Sequence, residues 1–186
     1  MKYEPITSEQ YYHIYNRGNN REDIFLEEKN YFYFLDLMKK HVHPIADILA
    51  YCLLKNHFHL LIWTKPVESD DMISRKFSNF FNAYAKAINK QYQRSGSLFQ
   101  DRFSRKIVTD EKQLRNLILY IHTNPTHHGF VEDFSTYKYS SYHSHLSHQK
   151  TLLDREFVLD QFDGRENFRY VHQSKNFDIN EDLTLE

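Results

Sequence analysis

Residues 46–64 read ADILAYCLLKNHFHLLIWT. Two apolar runs flank Lys55-Asn56, a pair suited to a tight turn, so the stretch predicts a hairpin with strands 46–54 and 57–64. Side chains alternate along a strand. His57 and His59 therefore share one face of the second strand, while Phe58, Leu60 and Ile62 share the other. This predicts an apolar layer under the sheet and two imidazoles on its opposite side.

The flanking sequence completes a sheet with helices. Residues 10–16 (QYYHIYN) predict a strand, and Arg17-Gly18-Asn19-Asn20-Arg21 a turn. Tyr31, Phe34, Leu35 and Met38 fall at helical spacing within a helix over about 28–42. On the C-terminal side, Ser69-Asp70-Asp71 offers N-caps for a long helix to about Arg94, with a stripe of Ile73, Phe77, Phe80, Tyr84 and Ile88. Ser95-Gly96-Ser97 breaks it, residues 103–108 predict a strand, and Asp110 with Gln113 resembles a capping box. Leu114, Leu117, Ile118 and Ile121 then mark a helix expected to stop before Pro125. One or two short helices are expected within 152–171. The order β-α-β-β-α-β-α closes naturally as an α+β fold, a ferredoxin-like βαββαβ unit with a four-stranded antiparallel sheet and two helices on one face. The helix over 110–123 is an addition that must pack against the sheet or its edge, and a helical C-terminal extension follows. Residues 1–150 are expected to form the main domain, with an acidic extension over 151–186 packed on it.

Composition narrows the class. With 40% hydrophobic and 26% charged residues among 186, the chain is not wholly disordered. Cys52 is the single cysteine, which excludes an intrachain disulfide and a cysteine zinc cluster and points to a reducing compartment. No apolar run approaches the ~18 residues that span a bilayer. No apolar signal segment follows Met1-Lys2-Tyr3-Glu4-Pro5. A cytoplasmic protein without a membrane partner is expected. The net charge of −1 conceals segregation. Residues 84–106 hold six basic residues against Asp101 alone, whereas 151–186 hold nine acids against four bases. A local basic run suits phosphate binding as well as a plain solvated face.

The histidines carry the chemistry. Twelve histidines in this length give roughly one His-x-His pair by chance, and the chain has three, at 41/43, 57/59 and 143/145. Spacing alone is therefore weak. The pair His57/His59 stands apart because it interrupts a strongly apolar strand, where two polar rings need a reason, and half of a divalent-metal site is one. In the helix past residue 110, Tyr120 and Asn124 are four residues apart and share a face. A tyrosine there is most often a core residue, yet beside a metal-bound phosphate its oxygen can act as a nucleophile. His122 points away from that face.

Four ordered blocks carry a family resemblance: Tyr12-His13-Ile14-Tyr15-Asn16-Arg17-Gly18, the stretch Ala50–Leu61, Gly96-Ser97-Leu98-Phe99-Gln100-Asp101-Arg102-Phe103, and Tyr120-Ile121-His122-Thr123-Asn124-Pro125. Together they resemble the REP-associated tyrosine transposases, one-tyrosine, HUH-type single-strand DNA transposases. The likeness runs over about 10–143, with Tyr139-Ser140-Ser141-Tyr142 continuing it. It implies that His57 and His59 are metal ligands, that Asn124 completes the shell and that Tyr120 is the catalytic tyrosine. It further implies Mg²⁺ or Mn²⁺ as cofactor, single-stranded or hairpin DNA as partner, and a 5′-phosphotyrosine intermediate in strand cleavage and rejoining. The protein would act as a monomer or homodimer. Arg17, Arg102, Arg105 and Lys106 are candidate phosphate contacts. Lys55 departs from the family, many members of which have proline there. The competing readings are a non-catalytic hairpin DNA- or RNA-binding module of the same fold, and a phosphoesterase that uses water in place of Tyr120.

Overall fold

A computed structural model describes residues 5–100 and 102–174. Four strands, β1 (Tyr11–Arg17), β2 (Ala46–Leu54), β3 (His57–Thr64) and β4 (Ser104–Val108), form one antiparallel sheet in the order β2-β3-β1-β4. Helices α1 (Glu28–His41) and α2 (Asp70–Gln91) cross one face, as expected of the ferredoxin-like arrangement. Phe34 of α1, Phe80 and Tyr84 of α2, and Ile14, Phe58, Leu60 and Ile62 of the sheet are all fully buried in this layer. Aromatic side chains each bury a large area, and their edge-to-face contacts, such as Phe34 against Tyr84 at 88°, fix their mutual orientation.

The opposite face is also covered, which explains why β3 reads as a nearly continuous apolar run rather than an alternation. Helix α3 (Glu111–His127) packs there on β2 and β3 through Leu117, Ile118 and Ile121, against Leu49, Cys52, Leu54 and Leu61. The added helix thus lies on the sheet face. It starts as the capping residues require: Asp110 Oδ1 accepts the Gln113 N–H at 2.8 Å, and Gln113 Oε1 accepts the Thr109 N–H. It does not stop before Pro125, which sits inside it. Proline lacks one N–H donor, but the turn beyond it is held by His128 N–H to Asn124 O and Phe130 N–H to Pro125 O. Asn124 consequently keeps helical geometry.

Three short helices, α4 (Tyr142–Leu146), α5 (Arg155–Asp160) and α6 (Arg165–Gln173), complete the second layer. Residues 139–141 run along the outer edge of β2, with Leu53 N–H bonded to Tyr139 O and Ser141 N–H to Tyr51 O, and so cover an otherwise open strand edge. The remainder of the acidic tail, residues 175–186, lies outside the described residues.

A buried hydrogen-bond chain ties this extension to α3. Tyr51 N–H donates to Ser141 Oγ, and Ser141 Oγ lies 2.7 Å from His122 Nε2. His122 Nδ1 in turn lies 2.8 Å from His172 Nε2, and His172 Nδ1 lies 2.7 Å from Phe168 O. A carbonyl only accepts, so His172 carries its proton on Nδ1 and accepts at Nε2 from His122 Nδ1–H; Ser141 then donates to His122 Nε2. Replacing His172 by Ala would leave the His122 N–H buried without an acceptor. We expect that change to cost about 1–3 kcal/mol, measured by urea unfolding. Tyr170→Ala, at a position 69% exposed on the same helix, should stay within about 0.5 kcal/mol.

Candidate active site

The two-residue turn Lys55-Asn56 joins β2 to β3 and sets the register, with Leu54 opposite His57 and Cys52 opposite His59. Lysine at 55 leaves that turn intact: its carbonyl accepts the Ile24 and Phe25 N–H groups at 2.8 and 2.9 Å. Both imidazoles of the pair lie buried between the sheet and α3. His57 Nδ1 is 2.7 Å from Asn56 Oδ1, and His57 Nε2 is 3.3 Å from Asn124 Oδ1. The shorter contact to an amide oxygen assigns the proton to Nδ1, so Nε2 presents a lone pair.

The four residues expected at the chemical centre come together. Tyr120 stands edge-on to the His59 ring, with centroids 5.4 Å apart at 86°. Tyr120 is 3% exposed and so lies buried in the seam between α3 and the sheet. His13 completes the group from β1: its Nε2 lies 2.9 Å from His59 Nδ1. His128, just beyond α3, sets its ring 4.7 Å from that of His57. His13 belongs to the first of the four sequence blocks, where local spacing assigns it no role. Alternation along β1 was the available signal, since His13, Tyr15 and Arg17 share the face of His57 and His59. His122, as expected, faces away, toward Ser141 and His172.

Burial makes these rings neutral. It pushes His57 down to about 3, aided by the charges of His128 and Arg17, with the Asn124 contact opposing. His13 is likewise held down at about 3 by burial and then by Lys106. His59 falls well below the usual imidazole range through burial and then the neighbouring His13, His57, His128 and Arg17. Neutral imidazoles are the form that binds a metal.

Imidazole nitrogens and an amide oxygen are donor types that a divalent ion accepts. Among the described residues, no three His, Cys, Asp or Glu side chains form a cation cluster; the further oxygen beside the two imidazoles is the amide oxygen of Asn124. His57 Nε2 lies 3.3 Å from Asn124 Oδ1, and His59 Nε2 is buried without a hydrogen-bond partner. In an octahedral shell with donors at ~2.1 Å, adjacent donors stand about 3 Å apart, close to the observed 3.3 Å.

The expected phosphate contacts divide between two places. Arg17 pairs across from His57, and Lys106 across from His13, which puts both on the histidine face. Arg105 lies opposite Ile14, on the α2 side, with its guanidinium 5.3 Å from the Phe103 ring. Arg102 and Arg105 line a cavity of about 600 Å³ with Asn16, Ser78, Asn82 and Gln100. Arg102 and Arg105 therefore lie apart from the histidine pair.

Comparison with known proteins agrees with this fold. Residues 6–124 match the family described as transposase, IS200-like, and the chain belongs to that family. A curated relative from Haemophilus influenzae, named as a REP-associated tyrosine transposase, is 30% identical over 110 residues, covering 54% of this chain and 61% of the relative. Another, from Escherichia coli, carries the same name and is 32% identical over 100 residues, covering 52% and 54%. The chain thus spans somewhat over half the length of the curated relatives it matches. A solved structure of the REP-associated tyrosine transposase bound to a REP hairpin superimposes with a TM-score of 0.62 over 83% of this chain and 93% of that one, at 19% identity. That likeness establishes the shared fold. The resemblance read from the four sequence blocks is borne out. Among the described residues, no helix is long and apolar enough to cross a membrane.

The neutral histidines make stability acid-sensitive. His13, His57, His59, His122, His145 and His172 are all shifted below 6.5 by burial. Between about pH 6.5 and 3 the unfolded chain binds protons that the folded chain refuses, so stability is full above that window and falls as pH drops through it. Each such group adds up to ~1.4 kcal/mol per pH unit. The urea midpoint should fall steeply from pH 6.5 to 4; a flat profile would show that these rings titrate normally.

Proposed function

We propose that the protein is a divalent-metal-dependent single-strand DNA transposase that cleaves beside hairpin DNA with Tyr120 as nucleophile. The observation that carries this reading is the juxtaposition of Tyr120 with His59, and of Asn124 with His57, on one helix and one strand. Helical spacing aims Tyr120 and Asn124 at the same seam, and strand spacing aims the two histidines at it from below. A water-using phosphoesterase would need no tyrosine at that position.

The chain's own groups then divide the work. His57, His59 and Asn124 would hold Mg²⁺ or Mn²⁺, the histidines through Nε2 and the asparagine through Oδ1. When bound, the ion supplies charge to offset the scissile phosphate and to favour an ionised phenol, whose ordinary pKa is ~10. Tyr120 Oη loses its proton and attacks the phosphorus in line. The Oη–P bond forms as the P–O3′ bond breaks, and the departing oxygen takes a proton to become a free 3′-hydroxyl. The 5′-phosphotyrosine link keeps an ester bond, so a second 3′-hydroxyl can attack it, rejoining strands and releasing the phenol. Arg17 and Lys106 flank the site on the same face and suit the DNA backbone on either side of the scissile bond. Arg102 and Arg105 suit phosphates further along the strand. The partner is hairpin DNA, the kind of molecule present in the structurally similar complex.

The test is a denaturing gel of the protein mixed with 5′- and 3′-labelled hairpin oligonucleotides, with Mn²⁺ or EDTA. We expect a Mn²⁺-dependent shifted band carrying the strand 3′ of the cut. Tyr120→Phe should abolish the band while leaving hairpin affinity within about twofold, because only a hydroxyl is removed. His57→Ala should lose cleavage and ion binding together. Tight hairpin binding with no adduct from any hairpin would favour a DNA-holding module instead.

A further inference from the structure

A third histidine is built into the centre of the sheet for which the fold itself has no use. His13 lies on β1, the strand between β3 and β4, and is fully buried. An aliphatic side chain would fill that space without the cost of burying polar nitrogens. Its Cα pairs with that of Leu61, and Tyr15, two residues on, pairs with His59, so His13 stands diagonally across from His59. The two rings lie 5.1 Å apart and only 20° from parallel, with His13 Nε2 at 2.9 Å from His59 Nδ1. The rings of Tyr15, at 4.7 Å, and Tyr120, at 6.4 Å, flank His13 and hold it in place. His13 Nδ1 has no hydrogen-bond partner, so the contact with His59 is what this side chain offers.

We infer that His13 is a positioning residue that prepares His59 to bind the divalent ion, by accepting the proton on His59 Nδ1 and so leaving His59 Nε2 as a lone pair. The inference rests on the cation reading proposed above. Only one proton fits between two nitrogens 2.9 Å apart. With that proton on His59, the buried Nε2 is a donor atom ready for a cation. With the proton on His13, His59 would carry its own on Nε2 and could not ligate. Asn56 performs the same task for His57 through its amide oxygen at 2.7 Å. Each candidate ligand is thus gripped at Nδ1 by one neighbour and offers Nε2, the outer-shell arrangement that fixes imidazole ligands in metal sites. A neutral imidazole in this role, where a carboxylate is common, orients the ligand without adding negative charge. The cation then keeps more of its charge for the phosphate.

The experiment uses the full chain without DNA and has two readouts. Imidazole ¹⁵N–¹H spectra of the metal-free protein, with His59 assigned from a His59→Gln sample, should show His59 protonated on Nδ1. Titration with Mn²⁺, followed by the electron paramagnetic resonance of the free ion, should show binding weakened 10- to 100-fold in His13→Phe. That variant keeps a ring but has no acceptor. His13→Gln, whose amide oxygen can reach the position of Nε2, should recover most of the loss. If His13→Phe disturbs folding, His13→Gln and the spectrum of the parent still decide the matter. His59 protonated on Nε2 in the parent, or unchanged Mn²⁺ affinity in a folded His13→Phe, would overturn the role of His13 while leaving the cation site standing. A parent that takes up no Mn²⁺ would instead overturn the cation reading and the role of His13 with it.

Discussion

The register of β3 against β2 is the constraint on which the structure depends. Both faces of β3 are buried, so a slip of one residue would drive His57 and His59 into the aromatic layer under α1 and α2 and lift Phe58 into the site. The turn at Lys55-Asn56 prevents this by being held from three directions. The Lys55 carbonyl takes two N–H groups from Ile24 and Phe25, and the Asn56 carbonyl takes that of Gly18 at 2.8 Å. Gly18 has no room for a side chain, since a Cβ there would stand 1.9 Å from the Glu22 carbonyl oxygen. The same turn orients the first imidazole through Asn56 Oδ1. One short segment therefore sets the fold's register and begins the site's chemistry.

The two layers divide their tasks. The layer of α1 and α2 is an aromatic core with few polar groups, and it contributes stability. The layer of α3 and the C-terminal helices is threaded with buried histidines in two groups. One group surrounds Tyr120; the other, His122 and His172 with Ser141, joins the extension to the helix that carries it. Burial keeps both groups neutral. In the first group this leaves unprotonated ring nitrogens beside Tyr120 and Asn124; in the second it gives a directional hydrogen-bond chain that holds α3 in place.

Local pattern carried most of the fold. Apolar alternation and helical spacing placed the four strands and three long helices within a few residues, because each signal is confined to neighbours in the chain. The end of α3 was misplaced since Pro125 reads as a stop, whereas tertiary packing and the bonds beyond it carry the helix one turn further. The pairing of residues 139–141 with β2 had no local signature; it joins segments about 90 residues apart. In the site, His57, His59, Tyr120 and Asn124 were legible from spacing and resemblance. The parts played by His13 and His128 depend on which strand or loop lies beside β3, which only the folded chain reveals. The basic residues read as one group divide across the sheet for the same reason: Arg105 and Lys106 are neighbours in sequence and point to opposite faces.

The central claim is that the Tyr120 oxygen forms the bond to DNA, and peptide mapping tests it most directly. The protein would be reacted with a cleavable hairpin in Mn²⁺, trimmed with nuclease, digested with trypsin and analysed by mass spectrometry. The account predicts a residual nucleotide phosphate on the peptide from Asn116 to Lys138, with fragmentation placing it on Tyr120. A cut hairpin with no modified peptide, or a nucleotide on any other residue, would contradict it.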